Sequence, residues 1–249
     1  GGTLTIKGGT FTQNNFIAIK NGALGVLHVT GGTITSNHSA IQNWFKADIT
    51  GGEIKGQLWT DAYIEGESVG ETRIGGDANF TGEIVMDIYG SVAPTLAITG
   101  GNLNVTNWRI TTTAANAGAK PAVSGGTFKA AVPAKYCAPG YVPTDADADG
   151  FFTVEEGKFT VQVTSRTVSS NTPVANVSGG GSNVTYAGGT TVTAASLSGY
   201  KFVGWFVNEY TGTPYSTDLT CEVKPTDDCT MIAVYEPISG GKFWLTVTA

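Results

Sequence analysis

The sequence predicts an all-β protein in two parts: a right-handed parallel β-helix, then a small second β domain. Three observations predict it. A glycine doublet recurs at Gly8-Gly9, Gly31-Gly32, Gly51-Gly52, Gly75-Gly76, Gly100-Gly101 and Gly125-Gly126, its first glycines 23, 20, 24, 25 and 25 residues apart. Self-similarity at a period of about 20 to 50 residues marks a solenoid or array. Short β-type runs fill each period and no helical periodicity is sustained, while beyond residue 157 the runs lengthen and the regular spacing stops.

Each period repeats the same parts in order. After the doublet comes a short alternating run such as Thr33-Ile34-Thr35, with the aliphatic turned inward. A turn follows, then a second run, Ala18-Ile19-Lys20-Asn21 in one period and Ala40-Ile41-Gln42-Asn43 in the next. A third run, such as Leu27-His28-Val29-Thr30 or Leu96-Ala97-Ile98-Thr99, leads to the next doublet. Three short strands per period make one coil, and about six coils are expected. The doublet marks a corner, because glycine adopts positive φ without a Cβ penalty. Stacking also places Asn21 over Asn43, as an amide ladder. A β-sandwich would instead favour hairpins with Asn-Gly turns. Asn21-Gly22 is one candidate turn, but the recurring inward pairs favour stacking.

The β-helix with its C-terminal cap is assigned to 1–157. Pro133, Pro139 and Pro143 interrupt the last coil pattern, since proline cannot donate to a ladder. An open solenoid needs such a closing segment over its edge. From 158 to 238 the runs alternate more cleanly, as in Lys158-Phe159-Thr160-Val161-Gln162-Val163 and Thr230-Met231-Ile232-Ala233-Val234-Tyr235. Tyr200 and Phe202 are expected on one face of their strand and Trp205 with Val203 on the other, all as core. Lys242-Phe243-Trp244-Leu245-Thr246-Val247 repeats the opening of this domain 84 residues on, so 239–249 reads as the start of a further copy.

Composition narrows the partners. Charged residues make up 14% of the 249, against roughly 25% in an average soluble protein, and glycine, at 35, is about twice its usual share. Thr, Ser, Asn and Gly stand where Lys and Glu would, which suits exposed strands and turns of an extracellular β protein. The net charge of −6 and the lack of a Lys/Arg cluster argue against nucleic acid and anionic membrane. No apolar run is long enough to span a bilayer, so no membrane insertion is expected. The chain opens inside a repeat, at Gly1-Gly2-Thr3-Leu4-Thr5, and is read as a monomeric fragment of something longer. Cys137, Cys221 and Cys229 have no metal-type spacing. Cys221 and Cys229 are either paired across neighbouring strands or free and buried.

Two stretches resemble known families. The segment "SGGTFKAAVPAKYCAPGYVPTDADADGFFTV", 124–154, resembles the last glycine-doublet repeat and closing segment of large surface proteins of gut Firmicutes. The stretch "YAGGTTVTAASLSGYKFVGWFVN", 186–208, with "DCTMIAVYEP", 228–237, is similar to divergent internalin-type B repeats. The second resemblance implies that the Gly-Tyr-x-Phe-x-Gly-Trp motif at 199–205 is structural and packs a small β-grasp-like or sandwich-like repeat domain. Together they imply a secreted or wall-attached Gram-positive surface protein whose ligands vary between members.

Three candidate sites follow. Asp145, Asp147, Asp149, Gly150 and Glu156, with the Phe151 carbonyl, match D-x-[DN]-x-[DN]-G-x5-E, whose oxygen ligands suit Ca²⁺. Calcium is the one cofactor the sequence raises. An EF-hand requires helices on both sides, whereas a Pro-rich loop and a β-type run flank this motif, so an acidic Asp-Gly turn competes with it. Trp44, Phe45, Trp59, Tyr63, Tyr89 and Trp108 lie in the variable parts of successive coils, where aromatic rings suit the apolar faces of sugars. The competing reading is that they fill the wider coils, since Trp and Tyr are commonly half-buried.

The enzymatic reading rests on Asp48, Asp61, Glu65, Asp77, Glu83 and Asp87, since glycoside hydrolysis needs two carboxylates at a fixed separation. No Gly-His-Gly or Asp-Asp pair accompanies them in the coils. His28 points outward and His38 sits in a turn, neither beside a nucleophile motif. The whole is therefore read as a non-enzymatic cell-surface adhesin or stalk region, presenting a binding surface to glycan or host protein. The runner-up is a carbohydrate-active β-helix enzyme, a polysaccharide lyase or hydrolase. A spacer without a ligand is the third class.

Overall fold

The structure, a computed structural model, describes residues 1–62, 68–89, 91–114 and 117–238. The chain divides into two compact units, Gly1–Glu156 and Gly157–Ala249. The expected further copy at 239–249 and the aromatic candidate Tyr63 lie outside the described residues.

The first unit is a parallel β-helix of about five turns. Its strands are β1 (Thr3–Gln13), β2 (Ile19–Asn21), β3 (Val26–Asn43), β4 (Lys46–Asp61), β5 (Glu71–Ile74), β6 (Asn79–Asp87), β7 (Thr95–Ile110) and β8 (Ala122–Phe128). All pair in parallel, coil on coil. Alternation along each strand turns one set of side chains inward. Ile6, Val29, Ile49, Ile74, Ile98 and Val123 stack in one inward column, and Ile34, Ile54, Phe80, Leu103 and Phe128 in another.

Three faces result. One precedes the doublet, one follows it, and the third carries 39–43, 57–61, 83–87 and 107–110. The register shifts at the doublets, as between Thr30 and Thr33, so the long strands bend there. Gly52 takes φ +85°, the conformation expected of a corner. Its neighbour Gly51 is needed for a different reason. A Cβ on Gly51 would lie 2.5 Å from the backbone oxygen of Thr30 in the coil beneath.

The predicted Asn ladder is present and reaches further than Asn21 and Asn43. Asn21 Nδ2 donates to Asn43 Oδ1 at 2.7 Å and to the carbonyls of Gly25 and Lys46. Asn43 Nδ2 donates to Thr72 Oγ1 at 2.9 Å and to the carbonyls of Phe45 and Glu71. Thr60 and Thr72 share a hydroxyl hydrogen bond of 2.8 Å. Buried amides at a corner thus satisfy the carbonyls of several coils at once.

The last coil is covered. A 3-10 turn, Ala134–Tyr136, leads to β9 (Tyr141–Pro143) and β10 (Phe152–Glu156), which pair antiparallel with each other. β10 also pairs antiparallel with β8, and Val132, Tyr136 and Cys137 enter the core. At the opposite end Leu4 is 50% exposed, although it stands over Leu27.

The second unit has two sheets. A mixed sheet runs β13 (Gly181–Val184), β11 (Phe159–Thr167), β17 (Cys229–Pro237), β15 (Tyr200–Val207), with β11 and β17 parallel. The other is antiparallel, in the order β12 (Val177–Gly179), β14 (Thr190–Ala194), β16 (Thr220–Val223). Val161, Trp205, Met231 and Tyr235 of the first share a core with Val192, Ala194 and Val223 of the second. Among the described residues this unit has no helix; the parallel pair β11–β17 at the centre of its mixed sheet fits the β-grasp-like expectation, and the second sheet packed against it gives the sandwich-like part.

One expectation for β15 is corrected. Phe202 pairs with Tyr235 and Gly204 with Val234, leaving Val203 as a β-bulge. The extra residue resets the alternation, and Trp205 joins Tyr200 and Phe202 on one side. Val203 and Phe206 occupy the other side. The cysteines are settled too. All three are free thiols; Cys221 lies on β16 and Cys229 on β17, in different sheets. Burial pushes each thiol pKa up, which lowers reactivity. Among the described residues no helix is long and apolar enough to cross a membrane.

Candidate functional site

The third face of the β-helix gathers most of the chemistry that the sequence scattered. Its inward column is Ile41, Leu58, Ile84 and Trp108, and the adjacent outward column is Gln42, Trp59, Val85 and Arg109. Trp59 and Trp108, both binding candidates by sequence, therefore point in opposite directions. Trp108 packs on the core, its ring 5.0 Å from that of Tyr136 in the cap. It is a packing residue, as a one-residue change of position along a strand dictates.

Trp59 stays on the outer side. The exposed Arg109 reaches across the intervening strand to lie 5.9 Å from the Trp59 ring, with Val85 fully buried in the column between them. The His38 ring is tilted beside the same indole, 6.5 Å between ring centroids. The Trp59 indole Nε1–H is shut away from solvent and has no acceptor among the described residues. Trp44 comes to this face as well. Its Nε1–H donates to Asp61 Oδ2 at 3.1 Å, and Lys20 Nζ sits 3.9 Å above its ring. Tyr89 lies in the loop after β6, exposed and bridged to Val92.

Hydrogen-bonding side chains run beside the rings at the inter-strand spacing of about 4.8 Å. Ser39 Oγ donates to Gln57 Oε1 at 3.2 Å, Gln57 Nε2 to Glu83 Oε2 at 2.8 Å, and Asn107 Nδ2 to Glu83 Oε1 at 2.6 Å. Asp61 and Asp87 form the next outward pair. Burial raises the Asp61 carboxyl above the usual carboxylate range; the Trp44 hydrogen bond opposes this, and the charge of Asp87 adds to it. Asp87 accepts from Thr111 Oγ1 at 2.7 Å and pairs with Arg109 at 3.5 Å. Single residues hinted at this face, but the grouping needed the register. Asp61 and Asp87 lie 26 positions apart in the chain and side by side in the fold.

The acidic motif lies in the cap. The segment forms the turn between β9 and β10, where Asp147 Oδ1 accepts the backbone N–H groups of Asp149, at 3.0 Å, and Phe151, at 2.8 Å. Gly150 completes the turn at φ +81°, its N–H bonded to the Asp147 carbonyl. One carboxylate oxygen of Asp147 is thus engaged by its own turn, and Glu156 lies at the far end of β10. Among the described residues no group of three or more His, Cys, Asp or Glu is placed to hold a metal ion. Asp145, Asp147 and Asp149 thus lie in an Asp-Gly turn segment, with Phe151 directly after it and Glu156 at the end of β10. With the turn held by its own hydrogen bonds, addition of EGTA is expected to leave the melting temperature unchanged, and a fall on chelation that calcium restores would establish the ligand set.

Compared with protein-family models, with curated proteins and with solved structures, the chain matches none.

Proposed function

We propose that the chain is a non-enzymatic display region of a secreted or wall-attached surface protein, and that the third face of its β-helix binds glycan. One observation carries the reading. Trp44 and Trp59 share an outward face with Asp61, Asp87 and a ladder of amides and carboxylates. Rings that cover the apolar face of a sugar, beside groups that bond its hydroxyls, are the ingredients of carbohydrate recognition. Lys20 and Arg109, which rest on the rings, are long and exposed, and a sugar displaces them at small cost. A rigid sheet keeps these groups in place before the ligand arrives, which lowers the entropic cost of binding.

The test is a glycan array on the intact chain, followed by titration of Trp59→Ala. Binding is expected to weaken about tenfold or more, corresponding to roughly 1.4 kcal/mol or more. Unchanged affinity, with the melting temperature showing the variant folded, would remove this face from the function. A second reading, hydrolysis, is favoured by the raised Asp61 carboxyl beside Asp87, since glycosidases use a protonated acid and a second carboxylate. New reducing ends appearing during the same incubations, and lost in Asp61→Asn, are its signature.

A further inference from the structure

The geometry points to a second carbohydrate site on a different face, a groove beside the cap hairpin in which Phe151 stacks on one uncharged sugar ring and Asn102 and Asn104 bond its hydroxyls. The groove measures about 250 Å³. That lies below the roughly 300–1,000 Å³ of pockets enclosing drug-sized ligands, so it fits a single ring with its neighbours in solvent.

The floor is the outer side of the face that follows the doublets. Asn79 and Asn102 stack in one outward column, Thr81 and Asn104 in the next. Asn102 Nδ2 donates to Asn79 Oδ1 at 3.2 Å. That bond uses one of the two Asn102 amide hydrogens and leaves its Oδ1 for a ligand. The Asn104 amide adds further donors and an acceptor one column away. Sugar hydroxyls, each donor and acceptor together, match such a mixed set better than a peptide does, whose groups alternate along a line.

The wall comes from the cap. Phe152 packs on the core, so its neighbour Phe151 is turned the other way, into the groove. The Asp147 carboxylate holds the Phe151 backbone N–H at 2.8 Å, which gives the acidic turn a positioning role. Charges at the margins oppose each other. Glu53 and Lys129 both line the groove, one charge of each sign. An uncharged sugar fits that balance better than an acidic one.

The experiment is calorimetric titration of the intact chain with cellotetraose, xylotetraose and mannotetraose, with tetragalacturonate as the charged control. At least one uncharged tetrasaccharide is expected to bind in the roughly millimolar range or tighter. Phe151→Ala should weaken it tenfold or more. Asn104→Ala, which leaves the hairpin untouched, should weaken it at least threefold, with thermal melts showing both variants folded. Trp59→Ala should leave this binding within twofold, which separates the site from the third face. No binding by any uncharged probe, binding of tetragalacturonate alone, or binding that survives both Phe151→Ala and Asn104→Ala overturns the proposal.

Discussion

Gly51→Ala is expected to destabilise the β-helix by about 1–3 kcal/mol, the usual cost of overpacking a filled interior. The added methyl would lie 2.5 Å from the Thr30 oxygen and 3.0 Å from its carbonyl carbon, both backbone atoms of the coil beneath. Neither atom can rotate away, so the two coils must separate at that corner and stretch the ladder between β3 and β4. Gly8→Ala provides the control. Gly8 is the same member of the doublet in the first coil, and a Cβ there meets nothing within 4 Å. Thermal unfolding should therefore show a drop of roughly 3–10 °C for Gly51→Ala and almost none for Gly8→Ala. Equal effects at the two positions would refute stacking as the reason for the first glycine.

Asn43→Ala should cost about 3 kcal/mol, because it strands several buried groups together. Asn43 is fully buried and bonds Asn21, Thr72 and the backbone of Phe45 and Glu71. Removing the amide leaves the Asn21 donor and the Glu71 carbonyl without this partner. Asn43→Asp keeps the shape and the acceptor but loses both donors, and it turns a negative charge toward the carbonyls of Phe45 and Glu71. It should be at least as damaging at neutral pH and recover as acid neutralises the carboxyl. Urea denaturation at pH 7 and pH 4 checks both; an Asn43→Asp variant as stable as the parent at pH 7 would show that the ladder contributes little.

The coils were legible because a solenoid repeats its physics at short range. Each doublet with its following run reports one corner and one inward aliphatic, as Gly31-Gly32-Thr33-Ile34 does, and Ile34 is fully buried. The amide ladder was legible for the same reason. The candidate site was legible only as separate residues. Trp59 and Trp108 look alike in the sequence, yet one pairs in register with Gln42 and Val85 and the other with Ile84. The acidic motif matches a ligand pattern in spacing, and only the fold shows Asp147 Oδ1 accepting the Phe151 N–H within the turn. In the second unit a single bulge at Val203 moved Trp205 to the side of Phe202, where strict alternation puts it opposite.

By itself the sequence determined the class of fold, the coil period, the corners and the inward columns, because these depend on local periodicity and on the absence of a Cβ at fixed points. Tertiary structure decided which outward residues become neighbours: Asp61 with Asp87, Gln57 with Glu83 and Asn107, and Phe151 with the Asn102 row. The physical reason is register. A strand's own pattern fixes which side a residue faces, whereas the residue that stands beside it depends on where the next coil begins to pair. Bulges and corner shifts set that start, and they leave little trace in local hydrophobicity.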